Sequence, residues 1–281
     1  STLLPDFTGY AIDNNSILLT KRLSSGSFGV VYRAVSLKSR LVKEYAVKCL
    51  LNLDPDTPRS EALVREVALH VTVSDHPGIV TIHDVVEGEK FSFIVMDYCP
   101  GGDLFQASVA RRLFRWNDDL LKQAFMNIID AVEECHRRGV YHRDLKPDNI
   151  LISKDGKQTW LTDFGLGTFD MISNEHHVGT PSYMSPECLG KDSREAYLTA
   201  HNDIWSLGII LFVMISGEMP WRRAQNDDSV YRDFRRWRTF SGHPVSTEAE
   251  TLLLRIFTQD PTRRISLARL REEIVKIKTF F

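Results

Sequence analysis

The sequence predicts an α+β fold of two unequal lobes, because a strand-rich first third precedes a mainly helical remainder. The change falls at CPGG, residues 99–102, where proline and two glycines favour a hinge. The 281 residues are 43% hydrophobic, as in a globular chain long enough for one large domain or two lobes. We expect an N-terminal extension at 1–17, a small lobe at about 18–97, a hinge at about 97–102, a large lobe at about 103–278 and a short end at 279–281.

The predicted elements follow from periodicity. Short runs rich in Val, Leu and Tyr predict three strands, ILLTKRL, VVYRAVSL and LVKEYAVKCLL. In EALVREVALHVTV, apolar residues at 63, 67 and 71 recur at helical spacing, so this stretch predicts a helix. IVTIHDVVE and KFSFIVMDY predict an antiparallel pair that turns at Gly88. The later chain predicts helices at 117–138, 202–216, 247–258 and 266–278.

Composition and charge exclude several classes of partner. The formal net charge is −2, so no global basic field points to nucleic acid or to an anionic membrane. The longest apolar run, at 209–215, is far shorter than the roughly 20 residues of a membrane span, and no secretory pattern opens the chain. The four cysteines are scattered, which favours free thiols in a reducing compartment. We therefore expect an intracellular location, cytoplasmic or nuclear.

Two patterns in the first lobe suit phosphate binding. SSGSFGVV, at 24–31, lies between predicted strands, and its two glycines let backbone N–H groups approach phosphate oxygens. An ordinary hairpin with two glycines is the alternative. Lys48, in AVK on the third strand, would face a phosphate if Glu66 of the following helix pairs with it. An exposed edge lysine, or Glu61 as its partner, remains open.

Two further patterns follow in the second lobe. YHRDLKPDN, at 141–149, concentrates charged side chains in one loop, although ordinary solvated loops also do this. DFG, at 163–165, follows the short strand TWLT about twenty residues after Asp144. The four patterns thus occur in the order in which one phosphoryl-transfer mechanism would use them.

The glycine loop, strand lysine, HRD loop, DFG and a closing Pro-Glu match the signature set of protein kinases. From about residue 18 to about residue 278, the chain resembles the eukaryotic protein kinase family. The resemblance implies a bilobal protein kinase-like fold, with a small antiparallel-sheet lobe carrying one main helix and a larger, mainly helical lobe. It also implies transfer of the γ-phosphoryl group of ATP, with Mg²⁺, to hydroxyl groups of protein substrates.

The resemblance assigns the chemistry to five residues. Asp144 would accept or orient the proton of the substrate hydroxyl, and Lys146 would neutralise charge on the transferring group. Asn149 and Asp163 would hold the Mg²⁺ ions that bridge the ATP phosphates, and Lys48 would contact the α- and β-phosphates. Phosphoryl transfer needs this positioning and positive charge more than covalent help.

The resemblance also implies a nucleotide pocket. Met96 would be the gatekeeper behind the adenine, backbone groups of Asp97 and Cys99 would bind its edge, and Asp103 would lie near the ribose. The remaining nucleotide-binding residues would be the loop Leu23, Ser24, Ser25, Gly26, Ser27, Phe28 and Gly29, the adenine sandwich Val31, Ala46 and Leu151, and Glu66 as the partner of Lys48. The structural positions would be the apolar spine His70, Ile82, His142 and Phe164, the loop anchor Asp203, and the pair Glu187 and Arg264.

Three positions depart from the family pattern. Ser24 replaces the first loop glycine, which would cost roughly 1–2 kcal/mol if that position demanded a positive φ. His70 stands where an aliphatic residue or Met is usual. His176 stands where a phosphate acceptor would normally quench Arg143, so we expect Glu175 or other contacts to satisfy this arginine without a phosphate there.

Other features narrow the expected substrate and subfamily. Lys146 after HRDL, and GTPSYMSPE, match the serine/threonine branch. Asp103 and Asp148 lie where related kinases recognise an arginine upstream of the acceptor, so we expect an Arg-directed preference. The nearest activation-segment hydroxyls are those of Thr168 and Ser173. RLSSGSFGVVYRAV, YMSPECLGK and DPTRRISLARLREEI resemble the fungal Ran/Pat-type kinases that control meiosis and nutrient responses.

Four alternatives remain open. VYRDFRRWR, at 230–238, interleaves arginines with aromatics as nucleic-acid-binding surfaces do, or it is an exposed helix whose aromatics dock inward. His176 and His177 could bind a metal, but the sequence offers no further ligands beside them. A catalytically silent scaffold is disfavoured by the intact Lys48, Asp144, Asn149 and Asp163. A small-molecule phosphotransferase is disfavoured by GTPSYMSPE, which resembles the shelf for an extended protein substrate.

Overall fold

The computed structural model describes residues 4–25, 29–38, 43–52, 57–190, 195–240 and 242–281. They form the predicted α+β arrangement of a sheet-built small lobe and a helical large lobe. The small lobe contains β1 (Ala11–Ile12), β2 (Ile17–Ser25), β3 (Val30–Ser36), β4 (Glu44–Leu51), α1 (Pro58–Val73), β5 (Ile82–Glu87) and β6 (Phe91–Asp97). The large lobe contains a π-helix (Gln106–Ala110), α2 (Asp118–Arg137), β7 (Ile150–Ile152), β8 (Thr159–Leu161), β9 (Ile172–Ser173), β10 (Tyr197–Leu198), α3 (Thr199–Ser216), α4 (Ser229–Trp237), α5 (Thr247–Ile256) and α6 (Leu267–Lys276).

The small-lobe sheet has six strands in the order β1-β2-β3-β4-β6-β5, and each neighbouring pair is antiparallel. The five predicted strands are confirmed, although the start of the third lies outside the described residues. The register places Val31 opposite Lys48 and Ala46 opposite Met96. Because paired residues share a face, residues of three strands with predicted roles in nucleotide binding lie together on one side of the sheet.

The residues before β2 pack on the opposite face of this sheet. Phe7 is 7% exposed, and its ring lies 5.0 Å from that of Phe91 and 5.6 Å from that of Phe93. Its backbone N–H donates to the Tyr32 hydroxyl at 3.1 Å. The predicted extension at 1–17 therefore contributes buried apolar contacts to the small-lobe core.

Helix α1 joins the small lobe to the large one. It begins after Thr57, whose side chain caps the first turn, and Pro58 occupies the first helical position. These two residues explain why the helix starts before the predicted position 61. At its other end, Leu69 and Val73 are fully buried in the core cluster of the large lobe. Helix α1 thus belongs to the small lobe along the chain and packs its C-terminal end into the large-lobe core.

Helix α3 forms the centre of the large lobe. Its residues are buried along nearly the whole length, and the ring of Trp205 lies 5.0 Å from that of Phe257. The helix is long and apolar enough to cross a membrane by length and composition, and 83% of it is buried inside the protein. The four predicted helices are confirmed as α2, α3, α5 and α6, with ends that differ by at most three residues.

Helix α4 carries the arginine-rich stretch VYRDFRRWR. Tyr231 and Phe234 are buried, and each ring lies 5.0 Å from that of Trp221. Trp237 remains 64% exposed, with the guanidinium of Arg236 4.8 Å above its ring. The interpretation of this stretch as a helix whose aromatics dock inward is confirmed for the first two aromatics and does not hold for Trp237.

The predicted hinge places the end of β6 against the β7–β8 hairpin. A Cβ on Gly101 would lie 2.0 Å from the carbonyl oxygen of Ile152, so only glycine fits there. Gly102 has a φ of +78°, and its carbonyl accepts the N–H of Ile152 at 2.9 Å. The hinge therefore lies directly beside the hairpin that carries Leu151.

Candidate active site

The loop at 141–149 is held by a buried carboxylate on α3. Asp203 is completely buried, and its two oxygens accept the backbone N–H groups of His142 at 3.0 Å and Arg143 at 2.9 Å. Arg143 has a φ of +62°, a left-handed conformation that non-glycine residues adopt at a cost. The hydrogen bonds to Asp203 offset this cost and fix the direction in which the next residue, Asp144, points.

Asp144 lies in a compact polar cluster. The ammonium of Lys146 donates to Asp144 Oδ2 at 2.7 Å and to the Thr180 hydroxyl at 3.0 Å. That hydroxyl donates to Asp144 Oδ1 at 2.7 Å. The structure thus brings the predicted base and the predicted phosphate-neutralising lysine together with Thr180 of the GTPSYMSPE segment. A hydroxyl that replaced Thr180 would meet a carboxylate and a cation at once.

Asn149 and Asp163 flank the β7–β8 hairpin. The pairing of β7 with β8 continues to Asn149, whose carbonyl accepts the N–H of Thr162 at 3.0 Å, so Asp163 follows directly. The Asn149 amide donates to the Asp144 carbonyl at 2.9 Å, which leaves its side-chain oxygen free of described donors. The Asp163 carboxylate accepts no hydrogen bond from the described residues. These free oxygens fit Mg²⁺, which takes few protein ligands and completes its shell with phosphates and water.

No group of three or more His, Cys, Asp or Glu side chains in the described part of the chain could hold a metal ion by itself. The alternative metal site at His176 and His177 therefore has no further ligands there. Instead, His176 Nδ1 donates to the Glu187 carbonyl at 3.2 Å, and its ring packs against Gly190.

Lys48 and Glu66 form an ion pair across the small lobe. Glu66 is 7% exposed, and the Lys48 side chain is largely buried as well, so water screens the attraction only weakly. Glu61, the competing partner, lies exposed in the first turn of α1 and makes no ion pair with Lys48. The pair fixes the ammonium of Lys48 on the sheet face that carries Val31, Ala46 and Met96.

Three aromatic rings connect α1 to the catalytic loop. The Phe164 ring is fully buried between His70 at 4.9 Å and His142 at 5.0 Å. His70 Nε2 lies 2.7 Å from the Val80 carbonyl oxygen, which can only accept, so the ring is protonated on Nε2. Burial lowers the pKa of His70 to about 4, so the ring is neutral near pH 7. Ile82, the remaining predicted spine residue, packs against a smaller apolar cluster that contains Val80 and none of the three rings.

The proposed adenine pocket lies where the hinge meets the two lobes. Met96, Cys99 and Leu151 pack in one apolar cluster. The Asp97 N–H is already bonded to the Thr81 carbonyl at 3.1 Å, whereas the Cys99 N–H has no acceptor among the described residues. The Cys99 amide is therefore available to a ligand edge. Burial raises the pKa of its thiol to about 12, so the side chain behaves as a small apolar group.

The residues before and after the loop tip are strand residues. Ser24 and Ser25 belong to β2 and pair with Val31 and Val30, and neither has a positive φ. The conformational cost considered for Ser24 is therefore not incurred. A Cβ on Gly29 would lie 2.5 Å from the Cys49 carbonyl oxygen, so glycine is required there by packing. Gly26, Ser27 and Phe28 lie outside the described residues, and the side chain of Leu23 is partly exposed.

Asp103 lies at the start of the large lobe, where its Oδ1 accepts the N–H of Gln106, the first residue of the π-helix, at 2.7 Å. The second carboxylate oxygen of Asp103 remains free of described donors. The backbone of Asp103 also pairs with Leu151, which places its carboxylate at the hinge side of the cleft. Asp148 of the catalytic loop is exposed.

The activation segment reaches Arg143 through Glu175. Arg143 is 5% exposed, and its Nη1 donates to Glu175 Oε2 at 2.7 Å, while its Nε donates to the Leu166 carbonyl at 2.7 Å. The predicted contact between Glu175 and Arg143 is thus present. At the end of the segment, Arg264 Nη2 donates to Glu187 Oε2 at 3.0 Å. Both contacts tie the segment to the large lobe.

The model of the protein kinase domain family matches residues 18–276. This chain belongs to the protein kinase domain family. It is 36% identical over 278 residues to the negative regulator of sexual conjugation and meiosis of Schizosaccharomyces pombe, covering 91% of this chain and 59% of that protein. It is 28% identical over 331 residues to serine/threonine-protein kinase VHS1 of Saccharomyces cerevisiae, and this match covers 95% of this chain and 71% of that protein. It is 32% identical over 266 residues to CBL-interacting protein kinase 5 of Oryza sativa subsp. japonica, and this match covers 92% of this chain and 55% of that protein.

The family assignment confirms the resemblance drawn from the four motifs and the bilobal fold that it implies. The similarity to the fission-yeast regulator agrees with the resemblance to the fungal meiosis kinases. The chain spans 55% to 71% of the length of these three relatives.

Sequence reasoning missed one contact of the kinase domain's catalytic loop. His136 Nε2 donates to Asp203 Oδ2 at 2.9 Å, which gives the buried carboxylate a third donor. His136 and Asp203 lie 67 residues apart on different helices, so no local pattern indicates the contact. The one sequence feature that could have indicated this contact is a histidine near the end of α2, five residues before Tyr141.

We expect the free energy of unfolding to fall as the pH drops from about 6.5 to about 4. The unfolded chain binds a proton at His70 with an ordinary pKa of 6.5, whereas burial lowers that pKa to about 4 in the folded kinase domain. Stability from the neutral ring is therefore present above pH 6.5 and is lost on acidification, by up to about 3 kcal/mol. Urea unfolding at several pH values measures the free energy of unfolding and hence this loss.

The variant His70→Met, which removes the titrating ring, should flatten this part of the profile. His177→Asn is the control, because His177 is exposed and asparagine tolerates its φ of +60°. A wild-type pH dependence in His70→Met would show that other groups cause the loss.

Proposed function

We propose that this domain is a serine/threonine protein kinase that transfers the γ-phosphoryl group of Mg²⁺-ATP to hydroxyl groups of protein substrates. One observation carries the proposal: the Asp144 carboxylate, the Lys146 ammonium and the Thr180 hydroxyl lie within 3.0 Å of one another. A base and a cation at one point are what a hydroxyl attacking a phosphoryl group requires. Family membership and relatives named serine/threonine-protein kinases support the same conclusion.

Each residue has a physical task in this proposal. Asp144 orients the substrate hydroxyl and takes its proton, and Lys146 offsets charge on the transferring group. Lys48, fixed by Glu66, holds the nucleotide phosphates. Asn149 and Asp163 would hold Mg²⁺, which when bound neutralises the phosphate oxygens.

The same proposal places the parts of the ATP molecule in the cleft. We assign the adenine to the apolar cluster of Met96, Cys99 and Leu151, with Val31 and Ala46 on the sheet side. The free Cys99 amide would donate to the ring edge, and the free oxygen of Asp103 would accept from the ribose. The loop from Leu23 to Gly29 would cover the phosphates.

A catalytically silent scaffold is the runner-up, and the assembled site argues against it. The Lys48–Glu66 pair is formed, and the Phe164 ring packs between the rings of His70 and His142. A fold that only binds partners gains nothing from burying an ion pair, which is rarely stabilising by itself.

We expect Lys48→Met and Asp144→Asn to reduce phosphoryl transfer to a peptide by at least about a hundredfold, because each removes a charge that acts on the reacting groups. Both proteins should stay folded by circular dichroism. A radiolabel assay with and without Mg²⁺ measures the transfer. Lys157→Met, at an exposed lysine, should retain full activity. Undiminished turnover in either site variant would defeat the role assignment.

The activation segment is proposed to work without a phosphate at position 176. The buried guanidinium of Arg143 already has a carboxylate partner in Glu175. That partner is largely exposed, so the pair is worth only a fraction of a fully buried one.

We therefore expect phosphatase treatment to leave the activity unchanged, and Glu175→Gln to lower it about fivefold, the effect of roughly 1 kcal/mol. Steady-state assays of both proteins, before and after phosphatase, measure this. Glu272→Gln is the control, since Glu272 is also a largely exposed partner of an arginine, Arg269, on α6. Activity abolished by phosphatase and traced to a phosphate on Ser173 would contradict the proposal.

The substrate preference is proposed to be Arg-directed. Asp148 is exposed on the catalytic loop, and Asp103 has a free oxygen beside the cleft. If a peptide substrate lies near both carboxylates, they attract a guanidinium more strongly than a neutral side chain.

A degenerate peptide array should show enrichment of Arg upstream of the acceptor. Asp103→Asn should weaken that enrichment about tenfold, because the negative charge is lost; the amide oxygen can still accept the N–H of Gln106, so the local structure is kept. Asp155→Asn, at an exposed turn of the same lobe, should leave the array unchanged. An array without basic enrichment would remove this part of the proposal.

We also infer an intracellular location, cytoplasmic or nuclear. The four cysteines are all buried free thiols, as expected in a reducing compartment. The partners are proposed to be proteins with serine or threonine acceptors, with neither nucleic acid nor membrane among them.

A further inference from the structure

A cavity of about 150 Å³ lies in the large lobe, away from the catalytic cleft. Its walls are the π-helix and the turn after it, the C-terminal end of α3, and Pro244 in the segment before α5. The chemistry assigned to the cleft uses none of these residues. We call this space the α3-end cavity.

One wall of the α3-end cavity contains a buried hydroxyl. Ser108 is 3% exposed, and its Oγ has no hydrogen-bond partner among the described residues. Native structures rarely leave buried side-chain oxygens unbonded, because each one costs free energy. Ser108 lies on a π-helix of about one turn, and such short π-helical segments are frequent at functional sites.

Two arginines line the same wall. Arg112 and Arg115 are exposed, and no carboxylate of the described chain lies within 4.0 Å of either guanidinium. Some other large-lobe arginines, such as Arg232 and Arg235, also have no carboxylate partner among the described residues, so what distinguishes this wall is that two such groups line one cavity with the buried serine hydroxyl. The Arg115 guanidinium also lies 5.8 Å from the centroid of the Trp116 ring, a contact that uses none of its N–H donors. Two guanidinium groups without a carboxylate partner, together with a hydroxyl, form a donor set suited to an oxyanion, since the planar fork of arginine matches carboxylate and phosphate.

The opposite wall offers acceptors instead of donors. Met214, Ile215 and Ser216 form the last turn of α3, whose final carbonyls have no N–H partner further along the helix. The Glu218 carboxylate also lines the cavity and pairs with His243 at 3.4 Å. A bare polyanion would be repelled by this wall. A peptide has amide N–H groups for the carbonyls as well as side chains for the arginines.

We propose that the α3-end cavity is a docking site for a peptide segment of a partner protein, bound through one acidic side chain. The carboxylate or phosphate of that side chain accepts hydrogen bonds from Arg112, Arg115 and the Ser108 hydroxyl. The adjoining peptide N–H groups donate to the carbonyls at the end of α3. A volume of about 150 Å³ limits the buried part to one side chain. The binding requires no phosphoryl transfer, so it stands independently of the proposed kinase reaction.

The test is an NMR titration of the ¹⁵N-labelled domain without ATP. The probes are three otherwise identical glycine-serine peptides whose central residue is glutamate, phosphoserine or glutamine. The Gly217 amide, at the C-cap of α3, and the arginine Nε–H groups report on the two walls. We expect saturable shifts with an acidic peptide and none with the glutamine peptide. Stronger binding of the phosphoserine peptide would identify a phosphorylated partner, and equal binding an acidic one.

Variants separate this site from general charge attraction. The double variant Arg112→Gln/Arg115→Gln should weaken binding about tenfold or more, because two charge-assisted hydrogen bonds are lost. Arg232→Gln/Arg235→Gln removes the same charge from α4 and should change nothing, since those arginines bond to Asn226. Ser108→Leu should fill the cavity and abolish binding. Equal weakening by both double variants, shifts with the glutamine peptide, or no saturable shifts with any peptide would overturn the proposal.

Discussion

The buried carboxylate of Asp203 is the constraint on which the rest of the site depends. A completely buried charge is tolerated only when it is well hydrogen-bonded, and Asp203 accepts from two backbone N–H groups and from His136. Because the two backbone donors are consecutive, they fix both the position and the direction of the chain at residue 143. The left-handed conformation at Arg143 turns the next residue into the cleft. Loss of this carboxylate would therefore release the catalytic loop as a unit.

The fixed loop then determines what can be assembled around it. The ring of His142 presents one face to Phe164, Phe164 contacts His70, and His70 bonds to the Val80 carbonyl. His70 and Glu66 lie one turn apart on α1, so the same stack that positions the helix also positions the partner of Lys48. A histidine serves here because it combines an aromatic face with a hydrogen bond that an aliphatic side chain lacks. The two lobes are thus joined by side-chain contacts as well as by the hinge.

The sequence predicted the motifs and several of their partners, such as Glu66 for Lys48 and Glu175 for Arg143, but not every contact around them. Strands, helices and the four kinase motifs are local strings, so alternation, helical spacing and order identify them. The Asp203–His136 contact joins distant parts of the chain, and β1 is only two residues long. The π-helix at Gln106–Ala110 depends on packing against α3, which no propensity encodes. That Ser24 carries no conformational cost became clear only from its strand pairing with Val31.

The conformation of the activation segment also depends on buried charges that need partners. Phe164 anchors its start in the core, and Glu175 meets Arg143 part-way along. Glu187 anchors its end to Arg264, whose guanidinium is completely buried and lies 5.0 Å above the Trp205 ring. Both arginines are nearly inaccessible, and a buried guanidinium left without a countercharge is strongly unfavourable. A conformation that separates Glu187 from Arg264 leaves a buried guanidinium without its countercharge, whereas separating the exposed Glu175 from Arg143 costs less. The Glu187 pair is therefore the stronger of the two constraints that favour the extended activation segment.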